Sequence, residues 1–197
     1  MTATSYATLT LVKAQLGIDD GQDDVLIQAA LDATTTNINE RTGRPGTGFN
    51  LASAPSARVF WPTHPALLSI DDVSDPATMS VSTGQVGNFT NPVTADNFHC
   101  LPDNALVEGR PVECLEHYWS YWPTWPSVGV QITAVWGWPA VPADVIEAQL
   151  IWCSRLFKRK DSPDGIAGAS DFGPIRVGRM DPDVADMLAD YMKGGFA

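Results

Sequence analysis

Val128-Gly129-Val130-Gln131-Ile132-Thr133-Ala134-Val135-Trp136-Gly137-Trp138-Pro139-Ala140-Val141-Pro142 is the stretch on which the reading of the fold turns. Its first half alternates: Val128, Val130, Ile132 and Ala134 fall on one side of an extended chain, and Gly129, Gln131 and Thr133 on the other. That is a strand with one covered face. Beyond the two prolines the period changes. Val145, Gln149, Trp152 and Leu156 trace one helical row, with Ile146, Leu150, Cys153 and Phe157 beside it, and Pro142 is placed as a first-turn proline. The helix is expected to run to about residue 160. Its last turn carries Lys158, Arg159 and Lys160, favourable at the negative end of the helix dipole. One continuous segment thus passes from β to α.

Upstream, residues 53–138 keep the β character. Proline and glycine recur, β-branched and aromatic residues alternate, and no 3.6-residue period survives. Strands are expected at 57–61, 67–73, 79–82, 98–101, 112–118 and 128–135. Before residue 53 the pattern is helical. Thr8 can cap a helix carrying Leu9, Val12 and Leu16, which Gly17 ends. Asp23 or Asp24 caps a longer one over 25–42, with Ile27, Ala30, Leu31, Thr34 and Ile38 on one stripe and Gln28, Asp32, Asn39 and Glu40 off it; Gly43 and Pro45 stop it. At the other end Asp181 caps and Pro182 opens a last helix over 184–192, after a Gly-rich loop (161–180) with a strand-like piece at 174–177. The fold class is therefore α+β: a helical bundle of about four helices with an inserted small antiparallel β module. The expected divisions are 1–52 and 139–197 for the helical domain and 53–138 for the insertion.

The chain has 197 residues, seven of them Trp, and 44% hydrophobic content, enough for a real core without covalent staples. Cys100, Cys114 and Cys153 are too few and too scattered for a disulfide framework, which fits a reducing compartment. No apolar run approaches a membrane span, and residues 1–11 lack signal-peptide character, so no membrane is expected and the cytoplasm is the default site of synthesis. A net charge of −11 argues against tight wrapping of nucleic acid. The charge is uneven: seven of twelve basic residues lie from Arg155 onward, while Asp19, Asp20, Asp23 and Asp24 crowd the front. Such asymmetry suits head-to-tail contact between copies, and a solvated face explains it equally well.

Catalytic chemistry is hard to find. His99, Cys100, Cys114 and His117 include a zinc-like spacing, but residues three apart on a strand face opposite sides, so two buried cysteines and two strand or loop histidines are the simpler reading. Asp171-Phe172-Gly173 matches a kinase metal triplet by letters only. Asp19 to Asp24 lacks the alternation and terminal Glu of a calcium loop, and helix capping accounts for it. Without a nucleophile elbow, phosphate loop or zincin helix, neither an enzyme nor a bound cofactor or metal is expected. The aromatic stretch holding Trp119, Trp122 and Trp125 is read either as a partner-contact surface or as the core and rim of the β module, with sugar binding behind both.

Two segments carry a resemblance. The first is residues 6–16, Tyr6-Ala7-Thr8-Leu9 onward, then Asp23-Asp24-Val25-Leu26-Ile27 and Glu40-Arg41-Thr42-Gly43-Arg44. The second runs from Gly137-Trp138-Pro139-Ala140-Val141-Pro142 through Leu156-Phe157-Lys158-Arg159 to Asp181-Pro182-Asp183-Val184. Together they resemble phage head–tail connector (adaptor) proteins, of the kind found in siphophages of actinobacteria. The resemblance implies a ring of identical subunits, commonly twelve, between the portal and a tail-side neck protein (stopper or tail terminator), sited in the virion neck and assembled in the host cytoplasm, with DNA passing through the lumen without specific binding. It makes Phe172, Ile175, Arg176, Arg179 and Tyr191 portal-contact candidates. Asp32 and Glu40, carboxylates of the second helix, are the lumen candidates. The alternatives are another neck, tail-completion or minor capsid protein, or a carbohydrate-binding module.

Overall fold

The computed structural model describes residues 4–159, 166–170, 173–176 and 181–193. The chain divides into two compact units. One joins Met1–Gly48 to Val141–Gly194, and the other is built on Phe49–Ala140.

The first unit is helical: α1 (Leu9–Leu16), α2 (Asp24–Arg41), α3 (Ala143–Lys158) and α4 (Pro182–Ala189). Thr8 caps α1, its hydroxyl oxygen accepting from the Leu11 N–H at 3.2 Å, and Gly17 ends the helix with φ +69°, a value that suits glycine. Asp23 takes the N-cap position of α2. The first carboxylate of that helix, Asp24, accepts from Lys13 Nζ at 2.7 Å, which ties the two helices together across their turn. Ala7, Val12, Ile27, Ala30, Leu31, Cys153 and Phe157 form one apolar core cluster of the unit, and Ile38, Val145, Ala148, Val184 and Leu188 are buried as well. Asp181 caps α4 through the Asp183 N–H (3.1 Å), and its carboxylate also meets Arg155 at 2.6 Å.

Two expectations for these helices need correction. Asn39 is buried rather than on the solvent side, because its side-chain oxygen accepts from the Tyr6 hydroxyl. The covered row of α3 is Val145, Ala148, Gln149, Cys153 and Phe157. Trp152 lies at the margin of that row, half-buried, with the Arg41 guanidinium over its ring at 5.6 Å. A 100° rotation per residue moves a side chain from centre to rim in one step, and hydrophobicity alone put Trp152 ahead of the smaller Ala148.

The second unit holds two antiparallel sheets. One has the order β1 (Ser56–Phe60), β7 (Val128–Ala134), β3 (Ser80–Gln85), β4 (Asn88–Val93); the other has β2 (Leu67–Val73), β6 (Val112–His117), β5 (Phe98–Leu101). Residues of both sheets share one core, including Leu68, Ile70, Phe98, Leu115, Val130, Ile132 and Trp136. The alternation in β7 is realised as Val130, Ile132 and Ala134 buried in sequence. Strand β4 escapes the sequence reading. Asn88, Asn91 and Pro92 look like a loop, and Pro92 is tolerated because β4 lies at a sheet edge. A two-stranded hairpin, β8 (Ile166–Ser170) with β9 (Gly173–Arg176), falls in the helical unit's stretch of chain. The mean fold is thus α+β, with four helices and antiparallel sheets.

Candidate interaction surfaces

The residues that carried the resemblance have structural work. Thr42 is buried, its hydroxyl donating to the Ile38 carbonyl at 2.8 Å, and Gly43 turns the chain at φ +70°. Arg44, only 6% exposed, donates from one guanidinium nitrogen to the carbonyls of Thr42 (3.0 Å) and Tyr191. The Lys193 N–H reaches the Thr42 carbonyl at 3.1 Å, so this turn holds the end of the last helical segment. In the other unit, Gly137 has φ +113° and donates its N–H to the Asp72 carbonyl at 2.8 Å. A Cβ at Gly137 would strike the Asn50 carbonyl oxygen, which explains the glycine. Trp138 donates its indole N–H to Asp72 Oδ2 at 3.0 Å and packs against Phe49 with centroids 5.2 Å apart.

The aromatic stretch splits by burial. Trp122, 2% exposed, is a core residue and not a surface one: its indole donates to the Leu115 carbonyl (3.2 Å), its own N–H to the Pro65 carbonyl (2.7 Å), and its ring meets Phe98 and His117. The proposed contact role therefore passes from Trp122 to its neighbours. Trp119 is 87% exposed, Tyr121 75% and Trp125 73%. Tyr118 is tied down by its N–H to the Asn97 carbonyl (2.9 Å), and the Trp125 carbonyl accepts from Val128 (3.1 Å). The loop is therefore anchored at both ends and in the middle, and its outer rings stand in solvent.

On the helical unit, Asp32 and Glu40 are exposed on α2, and Asp32 accepts from the Gln28 side chain at 2.9 Å. Leu26, Ala29, Ala30, Leu156 and Phe157, from α2 and α3, line an open groove of about 250 Å³; Val25 on α2 and Leu11 on α1 are further exposed apolar residues. A second, more polar groove of about 500 Å³ lies along Ser5, Thr8, Gln28 and Asp32. Of the portal-contact candidates, Ile175 and Arg176 lie on β9, while Phe172 and Arg179 fall outside the described residues. Tyr191 is half-buried and donates its hydroxyl to Asp144 Oδ2 at 3.1 Å. The contacts of Tyr191 with Asp144 and Arg44 were not legible in the sequence, because those partners are 47 and 147 residues away.

The β5–β6 register settles how the four possible zinc ligands are arranged. Phe98 pairs with His117, His99 with Glu116, Cys100 with Leu115 and Leu101 with Cys114. Cross-strand partners share a face, so His99 and Cys114 lie on one side and Cys100 and His117 on the other. Among the described residues no group of three or more His, Cys, Asp or Glu could hold a metal ion. Burial pushes all three thiols up, Cys153 to about 11, so they remain protonated at neutral pH and are poor nucleophiles. Burial moves His117 the opposite way, below its ordinary value, and its Nδ1 is buried without a hydrogen-bond partner. No described helix is long and apolar enough to cross a membrane.

Residues 6–65 match the model of the family described as phage gp6-like head-tail connector protein. No curated protein matches by sequence. Among solved structures, a chain of the neck of an empty gene transfer agent particle, computed with C6 symmetry, is similar at 15% identity and TM-score 0.55, over 98% of this chain and 92% of that one. A chain from the virion of the native gene transfer agent particle is similar at 19% identity and TM-score 0.54, with the same coverage. A third, from the neck of the native particle computed with C12 symmetry, has 17% identity and TM-score 0.50, over 100% of this chain and 98% of that one. These likenesses extend across both units, so the arrangement of a helical unit interrupted by a β unit is shared.

Proposed function

We propose that this chain is a structural connector subunit of the neck of a tailed phage or phage-like particle, assembled as a ring that relays the portal to the tail and lets DNA pass. One observation carries the reading. The segment matching the connector family, 6–65, contains α1, α2 and the Thr42–Arg44 turn, and the rest of the fold has its likeness in chains of particle necks. The surface chemistry supports it. Exposed apolar residues of α1 and α2 and the anchored aromatic loop offer contact area.

The partners in this reading are further copies of the chain in a twelve-fold ring, the portal protein, and a tail-side stopper or terminator. Ile175, Arg176 and Tyr191, with Phe172 and Arg179, are the proposed portal contacts. Asp32 and Glu40 are proposed to face the lumen, where carboxylates repel the phosphate backbone and DNA slides without the salt-dependent grip of a basic lining. The virion neck is the proposed location, reached by assembly in the host cytoplasm.

The test is a cryo-EM map of the assembled particle neck, or of the purified chain mixed with its portal. A closed ring of this chain below the portal is the expected result. Density for the chain elsewhere in the particle would overturn the reading, and a lumen lined by Arg155, Lys158 and Arg159 would overturn the DNA-path assignment.

A further inference from the structure

The β5–β6 hairpin has an exposed apolar surface at each end. At the end where Phe98 pairs with His117, the chain leaves β6 directly into the aromatic loop, with Trp119, Tyr121 and Trp125 exposed. At the other end, where Leu101 pairs with Cys114, the connecting turn raises Leu106 (47% exposed) and Val107 (90% exposed). That turn is also preformed. Ala105 beneath it is buried, the Arg110 N–H donates to the Ala105 carbonyl at 2.7 Å, and the Glu108 N–H to the Asn104 carbonyl at 3.0 Å. Two anchored apolar knobs at opposite ends of one strand pair make a surface with a head and a tail.

We infer that these two ends meet between neighbouring copies: the aromatic loop of one subunit seats on the Leu106–Val107 turn of the next. The inference rests on the ring reading and names a contact within it. Area supports a protein partner. The exposed rings of the loop offer roughly 500–700 Å² of largely apolar surface at ordinary aromatic sizes, a large part but not all of the about 800 Å² per partner of a standard interface. Charge leaves only one strip open to a second copy. The β unit carries eight carboxylates against two arginines, so identical units repel over most of their surface. From Tyr118 through Ala143 the chain has no charged residue at all, and the loop lies in that strip, with nothing to oppose Glu108 beside the turn. Other occupants fit less well. A sugar site needs amide, carboxylate or guanidinium groups between its rings, and the loop offers only the hydroxyls of Ser120, Thr124 and Ser127 besides its aromatics. Nucleic acid is disfavoured by the acidic unit. A head-to-tail contact of this type is heterologous, and repetition closes it into a ring if the rotation allows.

The test uses two versions of the full chain. One carries Trp119→Ser with Trp125→Ser, and the other Leu106→Asn with Val107→Asp. All four positions are exposed, so thermal unfolding should match the parent. Sedimentation velocity and native mass spectrometry, run over increasing concentration, read the association. The parent is expected to form oligomers, each variant to associate roughly 30-fold or more weakly, and an equimolar mixture of the two variants to form a one-to-one dimer and stop there. The mixture retains a single intact pairing of loop and turn, which is why it cannot grow. Variants that assemble as the parent does would overturn this contact and leave the ring reading standing. A parent chain that stays monomeric throughout would also overturn it, and the neck density then decides the ring separately.

Discussion

The two units solve the problem of a specific interior differently. The helical unit buries Thr34, Thr35, Asn39, Thr42, Arg44, Gln149 and Ser154, whereas among the described residues of the β unit only Asp72 is a buried polar side chain. Gln149 is the centre of the first arrangement. Its side-chain oxygen accepts from the Ala7 N–H at 2.6 Å, and its amide donates to Thr35 Oγ1 at 2.7 Å and to the Leu31 carbonyl at 3.1 Å. Each such group must be paired to be tolerated, so one docking of α1, α2 and α3 is strongly preferred over near neighbours. The β unit relies instead on shape, with Trp122 and Trp136 filling space among aliphatic side chains and turning their single donors to backbone carbonyls. Polar pairing fixes a register; aromatic filling supplies most of the burial.

The largest expected effect tests the aromatic side of that contrast. Trp122→Ala should cost about 3–5 kcal/mol by opening a cavity, read by denaturant unfolding of the full chain followed through the β unit's signals. Trp119→Ala, three residues away, should stay within about 0.5 kcal/mol because its ring is already in water. Equal losses at the two positions would break the division of the loop into anchor and display.

Next comes the polar side. Gln149→Leu preserves bulk and removes the side chain's hydrogen bonds to Ala7, Leu31, Thr34 and Thr35, leaving the Ala7 N–H buried and unpaired, and should cost about 2–4 kcal/mol. Faster hydrogen exchange at Ala7 should accompany it, since that N–H would lose its acceptor. A neutral outcome would mean that the pairing at Gln149 contributes little and that apolar packing carries both units alike. Trp152→Ala should be milder, about 1–2 kcal/mol, because only part of its surface is covered and the Arg41 contact is a rim interaction. A loss as large as that at Trp122 would place Trp152 in the core after all.

How far the sequence discloses this can be argued from the same residues. Helix ends were legible because caps act locally: Thr8, Gly17, Asp181 and Pro182 each do what their chemistry prescribes within a few residues. The strand in β7 was legible because alternation is a local signal. Asn39 was not, because a polar residue on a helix reads as solvent-facing until a partner 33 residues away is known; for Gln149 periodicity gave the covered row but not its partner 142 residues away. Trp122 was hidden for the opposite reason. It sits among four other large aromatic residues, two prolines and three hydroxyl residues, and only the Leu115 and Pro65 carbonyls distinguish it. The exposed contact candidates Trp119 and Trp125 came from composition, whereas the turn at Leu106 and Val107 left no pattern, since an apolar pair in a loop is indistinguishable from one that folds inward.

The smallest effect sharpens the contrast through pH. His117 has its ring edge against Trp122, centroids 5.0 Å apart, and burial lowers its pKa from the ordinary 6.5. Well above pH 7 the imidazole is neutral in both folded and unfolded chains, so its protonation has no bearing on stability there. As pH falls below 6.5 the unfolded chain takes up a proton that the folded chain refuses, and stability declines until the folded pKa is passed, after which the loss levels off. His117→Phe removes this proton uptake, so the drop in unfolding temperature between pH 7 and pH 5 should be smaller in the variant than in the parent. The polar interior of the helical unit contains no buried histidine, so the helical unit should not share this loss, and hydrogen exchange read residue by residue can separate the two. Equal pH slopes in parent and variant would show that His117 keeps its access to water, and that the aromatic core of the β unit is more open at that edge than its packing implies.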